Sequence, residues 1–256
     1  MNLIFLRNVI YSLPAFAFSI PTFPVMILLP AFFEEVHGFN IATIGFFIFI
    51  SKIIDVITDP LMGWLNDKNF FSRKFYLVFG GVLSGIGLSQ LFLQDNINQE
   101  IFLLVWLSTL YFGWTMFQIP YLSIGYDLEK NYFLRTKLSA TREFFILLGL
   151  FFSLGIPMFI SIGNEELLEK IVYIALVIGF VGLSLFCFSI KDKRKKNSKK
   201  IKLGKIFKNI RNNNYLSRII IVLVVNNLAN VFPMILFAFF ITYVLGGDDF
   251  NRQVTL

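Results

Sequence analysis

Long apolar runs alternate with short polar connections along most of the chain. A helix needs about 20 mostly apolar residues to cross the hydrocarbon of a bilayer. By that measure the pattern predicts seven spanning helices, at roughly 9–33, 41–65, 75–93, 101–125, 139–162, 170–190 and 217–245. All connections but one are short, which makes consecutive helices antiparallel neighbours. The exception, 191–216, is long and basic. Six helices, a long polar loop and a seventh helix predict a six-helix N-terminal bundle over 1–190, a cytoplasmic loop over 191–216, and over 217–256 the start of a C-terminal bundle. The predicted class is an all-α membrane protein. With no partner half for helix seven, the chain reads as a fragment or truncated form of a longer protein, whose missing C-terminal half is expected to be required for activity.

Composition supports the bilayer reading. Hydrophobic residues make up 56% of the chain and charged residues 15%, against about 25% charged in soluble domains. The 33 Phe residues accompany abundant Ile, Lys and Asn, as an AT-rich coding sequence produces. The single cysteine, Cys187, lies in an apolar run, and the single histidine, His37, falls in a short loop where solvation is expected. Neither a disulfide nor a Cys/His zinc site follows from them. The first apolar run continues too far, and lacks the small-residue cleavage pattern, to be a removable signal.

Charge placement sets the orientation. With the N-terminus inside, the inner segments 1–8, 66–74, 126–138 and 191–216 hold eighteen of the 23 Lys and Arg residues. The opposite loops are acidic, with Glu34, Glu35, Asp95, Glu165, Glu166, Asp248 and Asp249. The positive-inside rule then predicts a multi-pass protein of the cytoplasmic (inner) membrane with a cytoplasmic N-terminus. The net charge of +7 is accounted for by topology, so the lipid bilayer is the expected partner and nucleic acid is not.

The chemistry concentrates in helix two. Lys52, Asp55 and Asp59 lie in the run SKIIDVITDP, and spacings of three and four put them on one helical face. Ionisable groups at bilayer depth mark functional sites by default. The two carboxylates, about 5–6 Å apart at their Cβ atoms, cannot both stay ionised in a dry site without a cation or a proton. Lys52 supplies part of the compensation. A hard cation such as Na⁺, or H⁺, supplies the rest. Pro60 and Gly63 loosen the backbone beside them. A structural ion cluster is the plainer alternative.

Neutral polar groups punctuate the other helices. Helix one carries Ser12, Ser19 and Thr22 with Pro14, Pro21, Pro24 and Pro30, which predicts a bent helix lining a cavity. Helix four holds Thr109, Thr115, Gln118, Pro120 and Ser123. Helix five is expected to open on Arg142 and Glu143. On helix seven, Asn226 and Asn230 share a face. Ser19, Gln118, Arg142, Asn226 and Asn230 are the candidates for a solute cavity.

The stretch DVITDPLMGWLNDKNFFSRK resembles the signature of the glycoside–pentoside–hexuronide:cation symporters, the melibiose-carrier-like branch of the major facilitator superfamily. The matching residues are Asp55, Asp59, Pro60, Gly63 and Asp67, followed by Arg73 and Lys74. TMFQIPYLS and TREFF are similar to that family's helix-four and helix-five segments. The resemblance covers essentially the whole chain. It implies a major-facilitator-type bundle, a cation site at Asp55 and Asp59 joined by Thr115, Lys52 as charge partner, and Arg142 as the helix-five arginine. It further implies coupling to Na⁺, Li⁺ or H⁺ with no other cofactor, a small polar solute such as a sugar, and a cytoplasmic gate at Asp67, Arg73 and Lys74. Two sugar-binding aspartates of that family are replaced here by Ser19 and Gln118. A lipid-like solute, an intramembrane prenyltransferase-like enzyme and a non-transporting remnant are the alternatives.

Overall fold

The computed structural model describes residues 3–22, 24–68, 70–94, 99–159 and 164–192, and beyond them 212–219 with positions 221, 222, 225, 226 and 229. The chain divides into two units, Met1–Lys196 and Asn197–Leu256. The first contains α1 (Leu3–Ser19), a π-helical turn (Pro24–Leu28), α2 (Leu29–Glu35), α3 (Ile41–Lys68), α4 (Arg73–Phe92), α5 (Ile101–Leu128), α6 (Tyr132–Phe159) and α7 (Asn164–Ser189). Among the described residues there is no strand. Six helices there are long and apolar enough to cross a membrane, counting Ile4–Glu35 as one broken span.

The first span breaks for a covalent reason. Pro21 and Pro24 have no N–H to continue the helical ladder, and α1 ends at Ser19. The Val25 amide resumes the chain by donating to the Pro21 carbonyl at 3.0 Å. A wide turn follows, and α2 starts with Pro30 in its first turn, where a missing N–H costs nothing. All six spans end within a turn of the predicted limits, and the second, third and fourth also begin within one. The fifth begins earlier: α6 starts at Tyr132, with the Asn131 side chain accepting from the Phe133 amide at 2.9 Å. Arg142 and Glu143 therefore lie in the helix interior and do not open it. Polar residues along 135–143 depress the hydropathy of a segment that is helical throughout. Likewise α7 starts at Asn164, its first turns solvated by charges such as the Lys170–Glu166 pair at 2.7 Å. His37 is not solvated as expected: it is half-buried among the rings of Phe32, Phe33 and Phe39, with centroids 5.2–6.0 Å away.

In the second unit, the Asn213 side chain accepts from the Leu216 amide at 3.2 Å and starts a helical segment at 214. Asn226 is helical and exposed there. Asn230 and most of the predicted seventh span lie outside the described residues.

Packing in the first unit follows a swap rule. Helix α1 packs on α6 and α7, α5 packs on α3 and α4, and α4 meets α7. Exchanging spans one with four, two with five and three with six leaves these pairings unchanged. Spans one and four cross in opposite directions, so the two triplets form an inverted repeat.

Between helices in lipid there is little hydrophobic driving force, and close backbone approach through small residues takes its place. Gly80 and Ser84 of α4 lie against Gly113 of α5: a Cβ on Gly80 would sit 2.5 Å from the Phe117 amide nitrogen and 2.7 Å from the Gly113 carbonyl oxygen. Outward, Phe49, Val56, Ile57, Phe180 and Phe188 are 62–90% exposed. Water would penalise such a surface; hydrocarbon does not.

Candidate functional site

Three polar rungs tie α3 to α5. The Ser51 and Ser108 hydroxyls are 3.2 Å apart, Thr115 reaches Asp55 and Asp59, and the Asn66 amide donates to the Ser123 hydroxyl at 3.1 Å. The partners stay 56 to 60 residues apart, as parallel helices require. Rungs seven or eight residues apart sit about two turns apart on one face.

The middle rung is the chemically loaded one. The Thr115 oxygen is 2.9 Å from the Asp55 Oδ1 and 2.9 Å from the Asp59 Oδ1. Thr115 itself is buried, 4% exposed. A hydroxyl has one proton to donate, so it satisfies one carboxylate at a time. The Lys52 ammonium is 3.7 Å from the other Asp55 oxygen and 3.6 Å from the centroid of the Tyr111 ring, a cation–π arrangement.

These groups open into a cavity of about 410 Å³ between α1, α3, α5 and α6. Ser19, Gln118 and Arg142 line it together with Lys52, Asp55, Asp59 and Thr115, so the structure gathers seven of the sequence-predicted residues in one place. The Ser19 hydroxyl is turned onto its own helix, donating to the Phe16 carbonyl at 2.8 Å. Gln118 is exposed to the cavity. Arg142 is ion-paired with Glu143, a cavity residue not among the sequence candidates because it was expected at a helix end. Trp114, Phe117 and Tyr121 supply aromatic walls. With all groups ionised, Asp55, Asp59 and Glu143 against Lys52 and Arg142 leave the cavity one negative charge in excess.

One edge of the cavity is formed by the crossing of α1 and α5. The Tyr121 hydroxyl donates to the Tyr11 carbonyl at 2.7 Å, and the Tyr11 hydroxyl to the Tyr121 carbonyl at 3.3 Å. Their rings stack with centroids 4.7 Å apart. Phe18 and Phe117 stack at 3.8 Å on the same crossing. No sequence spacing announces such pairs, since both partners come from distant helices.

The predicted gate residues lie away from this cavity. Asp67 is exposed near the end of α3. Arg73, buried at the start of α4, pairs with Asp127 of α5 at 2.5 Å and with Asp192, just beyond α7, at 3.5 Å. The Lys74 ammonium donates to the Cys187 carbonyl at 2.6 Å. Arg7 pairs with Glu129 on the same side. Asn226 belongs to the second unit, and Asn230 lies outside the described residues.

A family model described as MFS/sugar transport protein matches residues 10–256. The chain belongs to this family. Among similar members, the uncharacterized symporter YnaJ of Bacillus subtilis is 25% identical over 240 residues, covering 85% of this chain and 50% of the relative. The uncharacterized symporter YjmB of the same organism is 29% identical over 174 residues, 64% of this chain and 37% of the relative. A third uncharacterized symporter, from Synechocystis, is 26% identical over 147 residues, 53% of this chain and 27% of the relative. The chain thus spans about half the length, or less, of the curated relatives it matches. Membership of the MFS/sugar transport family and the six apolar helices make it a multi-pass membrane protein of a transporter family, and point away from an enzyme.

Proposed function

We propose that this chain is the cation-coupling portion of a secondary transporter for a sugar or related small solute, of the melibiose-carrier-like branch, in the cytoplasmic membrane with its N-terminus inside. The observation that carries the reading is the Thr115 rung: one hydroxyl proton faces two carboxylate oxygens, each at 2.9 Å. The cavity around it holds one negative charge in excess. A single monovalent cation satisfies both conditions. Na⁺ or Li⁺ would be held by the Asp55 and Asp59 oxygens with the Thr115 hydroxyl oxygen, a hard donor set suited to such ions. A proton would sit on one of the two carboxyls instead.

Coupling follows from position. Neutralising Asp55 and Asp59 removes repulsion at the α3–α5 seam, in the cavity that Gln118 of α5 and Arg142 of α6 also line. A solute bound to those groups then meets a tighter wall. By linkage, the solute raises cation affinity by the factor by which the cation raises solute affinity. Gln118 and the Arg142–Glu143 pair offer donors and acceptors for hydroxyls, and Trp114 offers a face for a sugar ring. Arg73 and Lys74 with Asp127 and Asp192 would serve as the cytoplasmic latch that opens and closes as the bundle rocks.

The test is calorimetric titration of the purified protein with NaCl and LiCl against a choline control. Binding of one cation per chain, weakened at least about tenfold by Asp55→Asn and by Asp59→Asn separately, is the expected result. A proton-coupled site instead gives no Na⁺ or Li⁺ heat but takes up one proton on acidification, lost in either variant. Variants that bind cations and protons as the parent does would reduce the carboxylates to a structural cluster.

A further inference from the structure

Glu143 is a carboxylate deep in a membrane-spanning helix and outside the cation site. The helices α3 and α6, exchanged by the inverted repeat, are each 28 residues long and open alike. The Asn40 side chain accepts from the Ala42 amide at 2.8 Å, and the Asn131 side chain from the Phe133 amide at 2.9 Å. The twelve-residue step from Asn40 to Lys52 recurs from Asn131 to Glu143. At the helical rise each of these residues stands about 18 Å into its helix, near the middle. An ionisable group at that depth is costly and marks a functional site by default. Glu143 lines the polar cavity and pairs with the Arg142 guanidinium.

That pairing leaves the cavity without an unopposed positive charge. Among the described residues lining it, the cations are Lys52 and Arg142. The Lys52 ammonium is 3.7 Å from Asp55 and rests on the Tyr111 ring. The Arg142 guanidinium is taken by Glu143. A solute carboxylate would add to a cavity that holds one negative charge in excess, or that a coupling cation has just brought to neutral. Like charges brought together at a partly desolvated site oppose binding. A hydroxyl fits better. Among the described residues the Arg142 Nε is buried without a hydrogen-bond partner, and a hydroxyl oxygen can satisfy it. Glu143 meets Arg142 through one oxygen, and a carboxylate has a second with which to accept a hydroxyl proton.

Taking the polar cavity as the solute site, as proposed above, we infer that it admits uncharged hydroxylated solutes and turns away their carboxylate-bearing counterparts. Glu143 sets this preference by holding the charge of Arg142, so it is a specificity-determining residue and not a ligand of the coupling cation. Replacing its charge while keeping its shape frees the guanidinium for a solute carboxylate, and a guanidinium is well suited to that partner.

The test is saturation-transfer NMR titration of the purified chain in detergent near neutral pH, with D-glucose against D-glucuronate and D-galactose against D-galacturonate. Within each pair the ring is shared, and only the exocyclic carbon changes from hydroxymethyl to carboxylate. At least one neutral sugar is expected to bind at least about tenfold more tightly than its uronate. Glu143→Gln keeps an acceptor for Arg142 and removes the charge. It is expected to shift that ratio at least about tenfold toward the uronate. Adding Arg142→Gln to it is expected to return the ratio to that of the parent. Glu143→Ser, expected to act as Glu143→Gln does, keeps the test open if the first variant fails to fold. A parent that binds a uronate as tightly as its sugar, or a ratio unmoved by Glu143→Gln and Glu143→Ser, would overturn the proposal. So would binding of neither class. The titrations are run in NaCl and in choline chloride. The preference is expected in both, since removing the cation only adds to the negative excess. Absence of calorimetric cation binding with the preference intact would count against the coupling reading alone, and cation binding without the preference against this one alone.

Discussion

Thr115 is the residue on which the proposed cation site turns, because its single hydroxyl serves two carboxylates. Thr115→Ala removes both a hydrogen bond and a candidate ligand oxygen. A hydrogen bond to a charged group contributes about 1.5–3 kcal/mol, and part of that is recovered when the carboxylates rearrange around an ion. Cation affinity is therefore expected to fall about tenfold, with Thr115→Ser restoring it, as measured by the same titration. Asp55 and Asp59 were legible from the sequence because a four-residue step on a helix is a local fact. Their pairing with Thr115 was implied only by family resemblance. Glu143 was misplaced at a helix end because hydropathy reports where lipid is, and helices run past that boundary.

At the scale of the elements, the α4–α5 seam is held by backbone proximity. A methyl at Gly80 would meet backbone atoms 2.5–2.7 Å away, which no rotamer change relieves. Gly80→Ala is expected to force the helices apart and cost about 1–3 kcal/mol, the usual penalty of overpacking. Gly63→Ala has open space around its Cβ and should be neutral or slightly stabilising, since Ala favours helix over Gly. Thermal unfolding in detergent, followed by size-exclusion elution of the two variants, checks both expectations. The broken first span was readable beforehand, since Pro21 and Pro24 cannot donate to a helical ladder. The depth of the break, with Ser19 and Met26 brought to the cavity wall, was not.

Across the first unit, the ends of α4, α5 and α7 are tied through one buried guanidinium. Arg73 bridges Asp127 and Asp192. Arg73→Gln removes the guanidinium that lies between these two carboxylates. Asp127 is 42% exposed, so water absorbs part of the penalty, and a loss of about 2 kcal/mol is expected in thermal unfolding. Arg73→Lys should recover much of it, because one guanidinium nitrogen, Nη1, reaches both carboxylates and an ammonium can serve as that point charge. If the bridge also acts as a latch, Arg73→Gln should change transport rate in the whole protein while leaving cation affinity at Asp55 and Asp59 unchanged.

The sequence by itself determined that the chain crosses a membrane, in which segments, and that helix two carries a charged face. These follow from composition and from periodicity within single helices, both local properties. Only the tertiary structure decided which helices touch. The inverted pairing of the two triplets brings Thr115 to Asp55 and Asp59, and Tyr11 to Tyr121. It sets Phe18 and Trp114 on the wall of the polar cavity. Such contacts depend on the register and crossing of helices that lie 50 to 130 residues apart, and no local pattern encodes that register.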